Sequence, residues 1–290
     1  MVNSFPLKGV IGIVANDPVE VDYALDHKLR CIEIRADLLI KVGNSVDDVV
    51  ELVRETKTKE LGCLFTLRHP KHGGEFFGTE EQRIQINKLA LEAGADIIDL
   101  ELGTDALVEM SYKNAPLMIS YHDFNKMPSA EGLEELTSEM ESLCPHAIKV
   151  VPTASKLVDS FQMLQWVGNG TRDIARIGFA MGPMGTCSRI MTTVFGAPIT
   201  YTSFGEAVAP GQLSMDALLY CYRVPELNKD CLIYGIAGKG VSHSKEMEII
   251  NRQLKKKQTN AVCIPMDIID LDELLAILGD LNIRGIELGD

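Results

Sequence analysis

The sequence is poor in aromatic side chains, 6% of 290 residues with a single tryptophan, and poor in positive charge. It carries 28 Lys and Arg against 41 Asp and Glu, a formal net charge of −13. That balance argues against a general binder of nucleic acid or of anionic membrane, since both partners would be repelled. It leaves room for a small anionic substrate, because a local cluster of arginines can oppose the overall field. The cysteines Cys31, Cys63, Cys144, Cys187, Cys221, Cys231 and Cys263 are odd in number, scattered, and include no C-x-x-C pair. Several sit inside apolar runs, so reduced, buried thiols in a cytoplasmic protein are expected. No apolar run is long enough to span a bilayer, and the stretch Met1-Val-Asn-Ser-Phe-Pro-Leu-Lys8 has no signal-peptide core. His69 and His72 lie three apart and His122 could join them, but no acidic or cysteine ligand stands at a telling distance, so no metal is expected.

What is present is a rhythm. Apolar strands are predicted at Val10–Ala15, Cys31–Asp37, Gly62–Arg68, Ile97–Leu102, Leu117–His122, Ile148–Pro152, Ile177–Met181 and Ile199–Phe204. Each is followed by a helical pattern: Val19–Leu29, Val46–Thr58, Thr79–Ala93, Asp105–Tyr112, Ala130–Leu143, Ala154–Val167, Ser188–Phe195 and Gln212–Tyr222. Strands alternating with helices imply a parallel sheet. Eight such units in succession match the α/β class and the closed (β/α)8 TIM barrel. A doubly wound open sheet would want a glycine-rich turn after the first strand, and Ala15-Asn-Asp-Pro18 is not one.

A barrel places functional side chains at the C-terminal ends of its strands. The ionisable residues gather there: Glu33 and Arg35 late in the second strand, Arg68 ending the third, Asp99 and Glu101 in the fourth, and His122 ending the fifth. Arg189 follows the seventh and Gln212 the eighth. The residue that stands out most is Lys149, inside the apolar run Ala147-Ile-Lys-Val-Val-Pro152. An ammonium in such a strand either snorkels to solvent or is desolvated, and a desolvated lysine has a lowered pKa and becomes an amine nucleophile. Three arginines at strand ends suit a carboxylate or phosphate ligand. A histidine beside a lysine strand suits general acid–base work. Met181, Met184 and Met191 read first as packing residues.

With these residues assembled, the chain resembles the type I 3-dehydroquinate dehydratases, the Schiff-base dehydroquinases of the shikimate pathway. The matching stretches are Glu33-Ile-Arg35-Ala-Asp37, Thr66-Leu-Arg68 with Gly73-Gly74, Ser120-Tyr-His122-Asp-Phe124, Ile148-Lys149, Met181 through Ser188-Arg189, Phe195-Gly196 and Ala209-Pro-Gly-Gln212. The resemblance implies an imine between Lys149 and the substrate ketone, with His122 taking the adjacent C2 proton and later protonating the departing hydroxyl. It implies that Arg189 holds the substrate carboxylate, that Glu33, Arg35, Arg68 and Gln212 bind ring hydroxyls and order the site, and that Met181 lies against the substrate. No metal or organic cofactor is implied, the partner is a small molecule, and a homodimer is left open. Two positions depart from the family pattern. His72 stands where a glutamate usually orients the catalytic histidine, which makes it a second-layer residue in question. Val208 stands where a serine or threonine is usual. Slower turnover or weaker substrate binding is expected from both.

After Glu226-Leu-Asn-Lys-Asp230 the pattern restarts, with strands at Leu232–Ala237 and Ala261–Ile268, helices at Lys245–Lys257 and Leu271–Leu281, and the start of a third strand at Ile283. Gly238 and Gly240 lack the third glycine of a dinucleotide fingerprint. Residues 229–290 instead resemble the start of the substrate-binding domain of shikimate dehydrogenase, following a barrel over 1–228. Ser242 and Ser244 then fall where that family binds a carboxylate. Glu246, Met247 and Ile250 depart from its pattern, no nicotinamide domain follows, and no dehydrogenase activity is expected. A sixty-residue segment of this kind should dock on the barrel, pair with another copy, or be poorly ordered. Two rival readings stay open. One is another class I aldolase-type barrel. The other is a pseudoenzyme that binds shikimate-pathway acids as a scaffold.

Overall fold

Short runs rich in Ile, Val and Leu form strands buried on both faces in a computed structural model, which describes residues 5–111, 115–171, 173–205, 211–277 and 283–289. The strands are β1 (Gly9–Val14), β2 (Cys31–Arg35), β3 (Gly62–Thr66), β4 (Ile97–Glu101), β5 (Leu117–His122), β6 (Ala147–Val151), β7 (Ala175–Gly178) and β8 (Ile199–Ser203). They make one eight-stranded sheet in the order β7-β6-β5-β4-β3-β2-β1-β8, with parallel registers such as Glu33 beside Leu64 and Asp99 beside Met118. Sequential neighbours with β8 beside β1 are the order of a sheet that curls toward closure, and the architecture is the (β/α)8 barrel.

The intervening helices are α1 (Glu20–Asp26), α2 (Ala36–Lys41), α3 (Val46–Thr58), α4 (Glu80–Glu92), α5 (Asp105–Ser111), α6 (Ala130–Ser142), α7 (Leu157–Gly168) and α8 (Thr186–Met191). Their starts follow local chemistry. Ser45 and Asp48 form a reciprocal cap at α3, and Thr79 and Gln82 do the same at α4. α3 then turns Val49, Val50, Leu52 and Val53 inward, the apolar stripe that holds a helix on a sheet. No described helix is long and apolar enough to cross a membrane.

The chain divides into two compact units. One comprises Met1–His122, Gly132–Val150 and Thr171–Arg176; the other comprises Asp123–Glu131, Val151–Gly170 and Ile177–Asp290. The second contains the C-terminal segment, where β9 (Leu232–Gly238), α9 (Lys245–Lys256), β10 (Ala261–Asp267), α10 (Asp272–Ile277) and β11 (Ile283–Leu288) build a parallel sheet in the order β10-β9-β11. This segment docks. α10 packs on α7, and β10 lies against α8. Glu273 accepts a hydrogen bond from the Leu157 N–H at 2.6 Å, filling one of the open donors at the start of α7. The buried Arg223 guanidinium donates to the Ala261 carbonyl at 2.9 Å.

Several boundaries differ from those read in the sequence. β2 stops at Arg35 and Asp37 enters the first turn of α2, because its carboxylate is drawn back onto Arg35. β3 stops at Thr66, and Arg68 lies beyond it. The helix predicted from Gln212 begins later, with a turn of π-helix at Ala217–Cys221, and Gln212 sits in an irregular stretch that is tied to β8 by the bridge between Ser203 and Ser214. α10 is described only to Ile277, so the predicted run to Leu281 lies partly outside the described residues, as do Tyr112 at the end of the fifth predicted helix and the motif positions Val208, Ala209 and Pro210.

Candidate active site

In a parallel strand every second side chain faces the same way. Asp99 and Glu101 therefore share a face of β4, Ser120 and His122 share a face of β5, and Glu33 and Arg35 share a face of β2. Lys149, from the middle of β6, is 4% exposed, so it does not snorkel to bulk solvent. Its Nζ lies 3.3 Å from Asp99 Oδ2. The same oxygen accepts from Arg68 Nη2 at 2.9 Å. The other carboxylate oxygen accepts from the Ser120 hydroxyl at 2.5 Å and meets Arg68 Nη1 at 3.3 Å.

Arg68 in turn reaches Glu101 at 3.3 Å and donates to Ser120 Oγ at 2.8 Å. Glu101 also accepts from the His69 N–H at 3.1 Å and pairs closely with the buried Arg83, whose Nε donates to the Leu67 carbonyl at 2.9 Å. Glu33 accepts the Thr66 hydroxyl at 2.6 Å. Arg35 grips Asp37 with both ends of its fork, at 2.9 and 2.8 Å. The result is a desolvated chain of alternating charge running Arg83, Glu101, Arg68, Asp99, Lys149. Each charge in it is compensated, which is the condition for keeping ions out of water.

The titration behaviour follows from this packing. Burial pushes the Lys149 amine below the ordinary lysine value, Asp99 and Glu33 pull it partly back, and Arg68 adds to the depression. Burial and the charges of Arg68 and Lys149 hold His122 well below an ordinary histidine, so its imidazole is neutral at neutral pH. Burial alone would raise the Asp99 pKa, but Arg68 and Lys149 outweigh it and hold the carboxyl ionised. A lysine that can shed its proton, beside a histidine that is already a free base, is suited to amine nucleophilic attack on a carbonyl followed by proton abstraction at the next carbon.

His72 ends a short turn at Pro70–His72, with Gly73 in the left-handed region at φ 78° closing it. Gly74 has no substitute here, since a Cβ would collide with the Arg68 carbonyl. Burial lowers the His72 pKa against the pull of Glu101. Its ring stands edge-on to His69 at 6.2 Å between centroids.

The second unit holds the remaining predicted residues. Arg189, on α8, is 3% exposed and lies over the Phe179 ring at 4.5 Å, and burial draws its pKa down to about 10. Met181 is buried, and its main chain bridges Thr153. Gln212, Ser242 and Ser244, predicted to serve two separate sites, line one cleft of about 700 Å³ together with Thr186, Asp216 and Glu248. The Ser242 hydroxyl donates to the buried Asp267, whose other oxygen accepts the Val241 N–H at 3.1 Å.

Arg83 and the roles of Asp99 and Glu101 were not foreseen in the sequence. The two carboxylates were visible as charges two apart in an apolar strand, a signal that each needs a buried cation. Arg83 gave none, since an arginine in a polar helix reads as a solvated residue.

The type I 3-dehydroquinase family profile matches residues 14–229. The chain belongs to the type I 3-dehydroquinase family. Among its relatives, 3-dehydroquinate dehydratase from Pyrobaculum aerophilum is 30% identical over 211 residues, covering 72% of this chain and 68% of that protein. The chloroplastic bifunctional 3-dehydroquinate dehydratase/shikimate dehydrogenase of Arabidopsis thaliana is 29% identical over 278 residues. That alignment takes in 93% of this chain, which spans only 45% of the Arabidopsis protein. A crystal structure of type I 3-dehydroquinate dehydratase from Clostridium difficile, with covalently modified comenic acid, superposes with a TM-score of 0.63 at 26% identity, covering 75% of this chain and 91% of that one.

Proposed function

We propose that this chain dehydrates 3-dehydroquinate to 3-dehydroshikimate through an imine on Lys149. The observation that carries the reading is the buried Lys149 amine 3.3 Å from Asp99, with a depressed pKa and a neutral His122 among the same charges. Lys149 adds to the substrate ketone, and the ketone oxygen leaves as water. The iminium acidifies the neighbouring carbon, so that His122 takes the C2 proton without needing to be a strong base. The electron pair of that C–H bond moves toward the iminium nitrogen to give an enamine. The enamine then expels the C1 hydroxyl, which leaves as water with the proton from His122. Hydrolysis of the conjugated iminium returns the lysine.

Arg189 holds the substrate carboxylate through its guanidinium fork. Glu33 and Gln212 meet ring hydroxyls, and Met181 provides an apolar wall. Arg68 and Arg35 act chiefly by ordering carboxylates, since their forks already grip Asp99 and Asp37. Residues 1–228 form the catalytic barrel, and 229–290 are the start of a shikimate-dehydrogenase-type substrate domain. The length of the Arabidopsis alignment, which extends past the family match, supports the second assignment. Turnover tests the proposal. The purified chain given 3-dehydroquinate should generate the ultraviolet absorbance of a conjugated enone, and both Lys149→Ala and His122→Ala should reduce the rate by at least about 100-fold. An unchanged rate in Lys149→Ala would exclude the imine route.

A further inference from the structure

We propose that Asp99 is the fixed counter-ion of the protonated imine on Lys149, an inference that rests on the Schiff-base reading above. Three observations point to it. Asp99 is fully buried, and its carboxylate contacts the reacting nitrogen at 3.3 Å. It is clamped in place by Arg68 through two contacts, 2.9 and 3.3 Å, and by Ser120 at 2.5 Å, so it cannot swing away when the lysine changes form. Glu33 from β2 and Arg68 from beyond β3 also act on Lys149. His122 from β5 feels both Lys149 and Asp99.

The charge balance of the reaction gives this arrangement its meaning. A lysine ammonium and a ketone yield an iminium and water with no net change of charge, so the anion that pairs with the ammonium before the reaction pairs with the iminium after it. When His122 removes the C2 proton, the positive charge passes from the nitrogen to the imidazole, and it returns when the hydroxyl departs as water. Asp99 acts electrostatically on both stations, His122 and Lys149. In a desolvated site a cation without such an anion beside it would be strongly disfavoured, and Arg68 would repel it.

The test is the pH dependence of adduct capture by cyanoborohydride, which reduces the iminium and leaves the neutral imine. Wild type, Asp99→Asn and Ser120→Ala are mixed with 3-dehydroquinate across about pH 5 to 10, and reduced adduct on Lys149 is quantified by mass spectrometry. The wild-type adduct should persist to high pH. In Asp99→Asn the midpoint of capture should move acid by about one to three units, the usual effect of an opposite charge at this range. Ser120→Ala, which removes a clamp but no charge, should move it by less than half a unit. An unshifted midpoint in Asp99→Asn overturns the proposal. Equal shifts in both variants also overturn it, since that is the mark of a merely structural role. Should Asp99→Asn fail to fold, the wild type decides alone: its capture midpoint should lie above about pH 7, and a midpoint below about pH 7 overturns the proposal. Absence of any adduct in folded, substrate-bound wild type would instead refute the Schiff-base reading itself.

Discussion

Glu101 is where the buried charge network should break first. It is fully buried and accepts from Arg83, from Arg68 at 3.3 Å and from the His69 N–H at 3.1 Å. Replacing it with glutamine keeps the shape and one acceptor but removes the charge, leaving two desolvated guanidinium groups short of an anion. Breaking a buried pair in this way costs about 3–5 kcal/mol. For a chain of this size that corresponds to a fall in Tm of about 6–20 °C. The comparison is Glu51→Gln, which breaks the Glu51–Arg54 pair. That pair is shorter, at 2.7 Å, but both partners are more than half exposed, and its loss should lower Tm by about 2 °C or less. Thermal melts followed by far-UV circular dichroism read both. If Glu101→Gln melts no lower than Glu51→Gln, desolvation does not govern this network, and the reasoning applied to Arg68, Asp99 and Lys149 fails with it.

Two further outcomes follow from the histidines. His122, His72 and His146 all have pKa values lowered by burial. The unfolded chain therefore binds more protons than the folded one as pH falls through the ordinary histidine range near 6.5, and stability is lost in that window. Urea midpoints should fall between about pH 7 and 5 and fall less in His122→Asn; an identical pH slope in the variant would show that His122 is not held neutral. His72→Glu should raise kcat and move the acid limb of the rate profile upward, because a carboxylate at the position from which the family usually orients the catalytic histidine favours its protonation. No change in rate or profile would mean that residue 72 does not tune the base.

The alternation of strand and helix was legible because apolar runs in a parallel sheet are uninterrupted, and Lys149 was legible because it interrupts one. The boundaries were less so where a charged side chain at a strand end finds a partner close by. Asp37 reads as part of a strand until Arg35 folds onto it, and Arg68 reads as a strand residue although its guanidinium turns back toward β4 and β5. Gln212 reads as a helix start, yet the helical turns begin only after it. Pairings between distant segments left no local trace: Ser242 looks like an anion donor in sequence, and only the fold brings Asp267 to its hydroxyl from 25 residues away.

The imine is the central claim, and its direct test is intact-protein mass spectrometry after mixing the chain with 3-dehydroquinate and borohydride, with Lys149→Ala alongside. The account predicts a reduced adduct of one substrate carbon skeleton per chain, mapped by peptide digestion to Lys149 and missing from the variant. A chain that turns over or binds the acid yet yields no adduct, or yields the same adduct in Lys149→Ala, would contradict it.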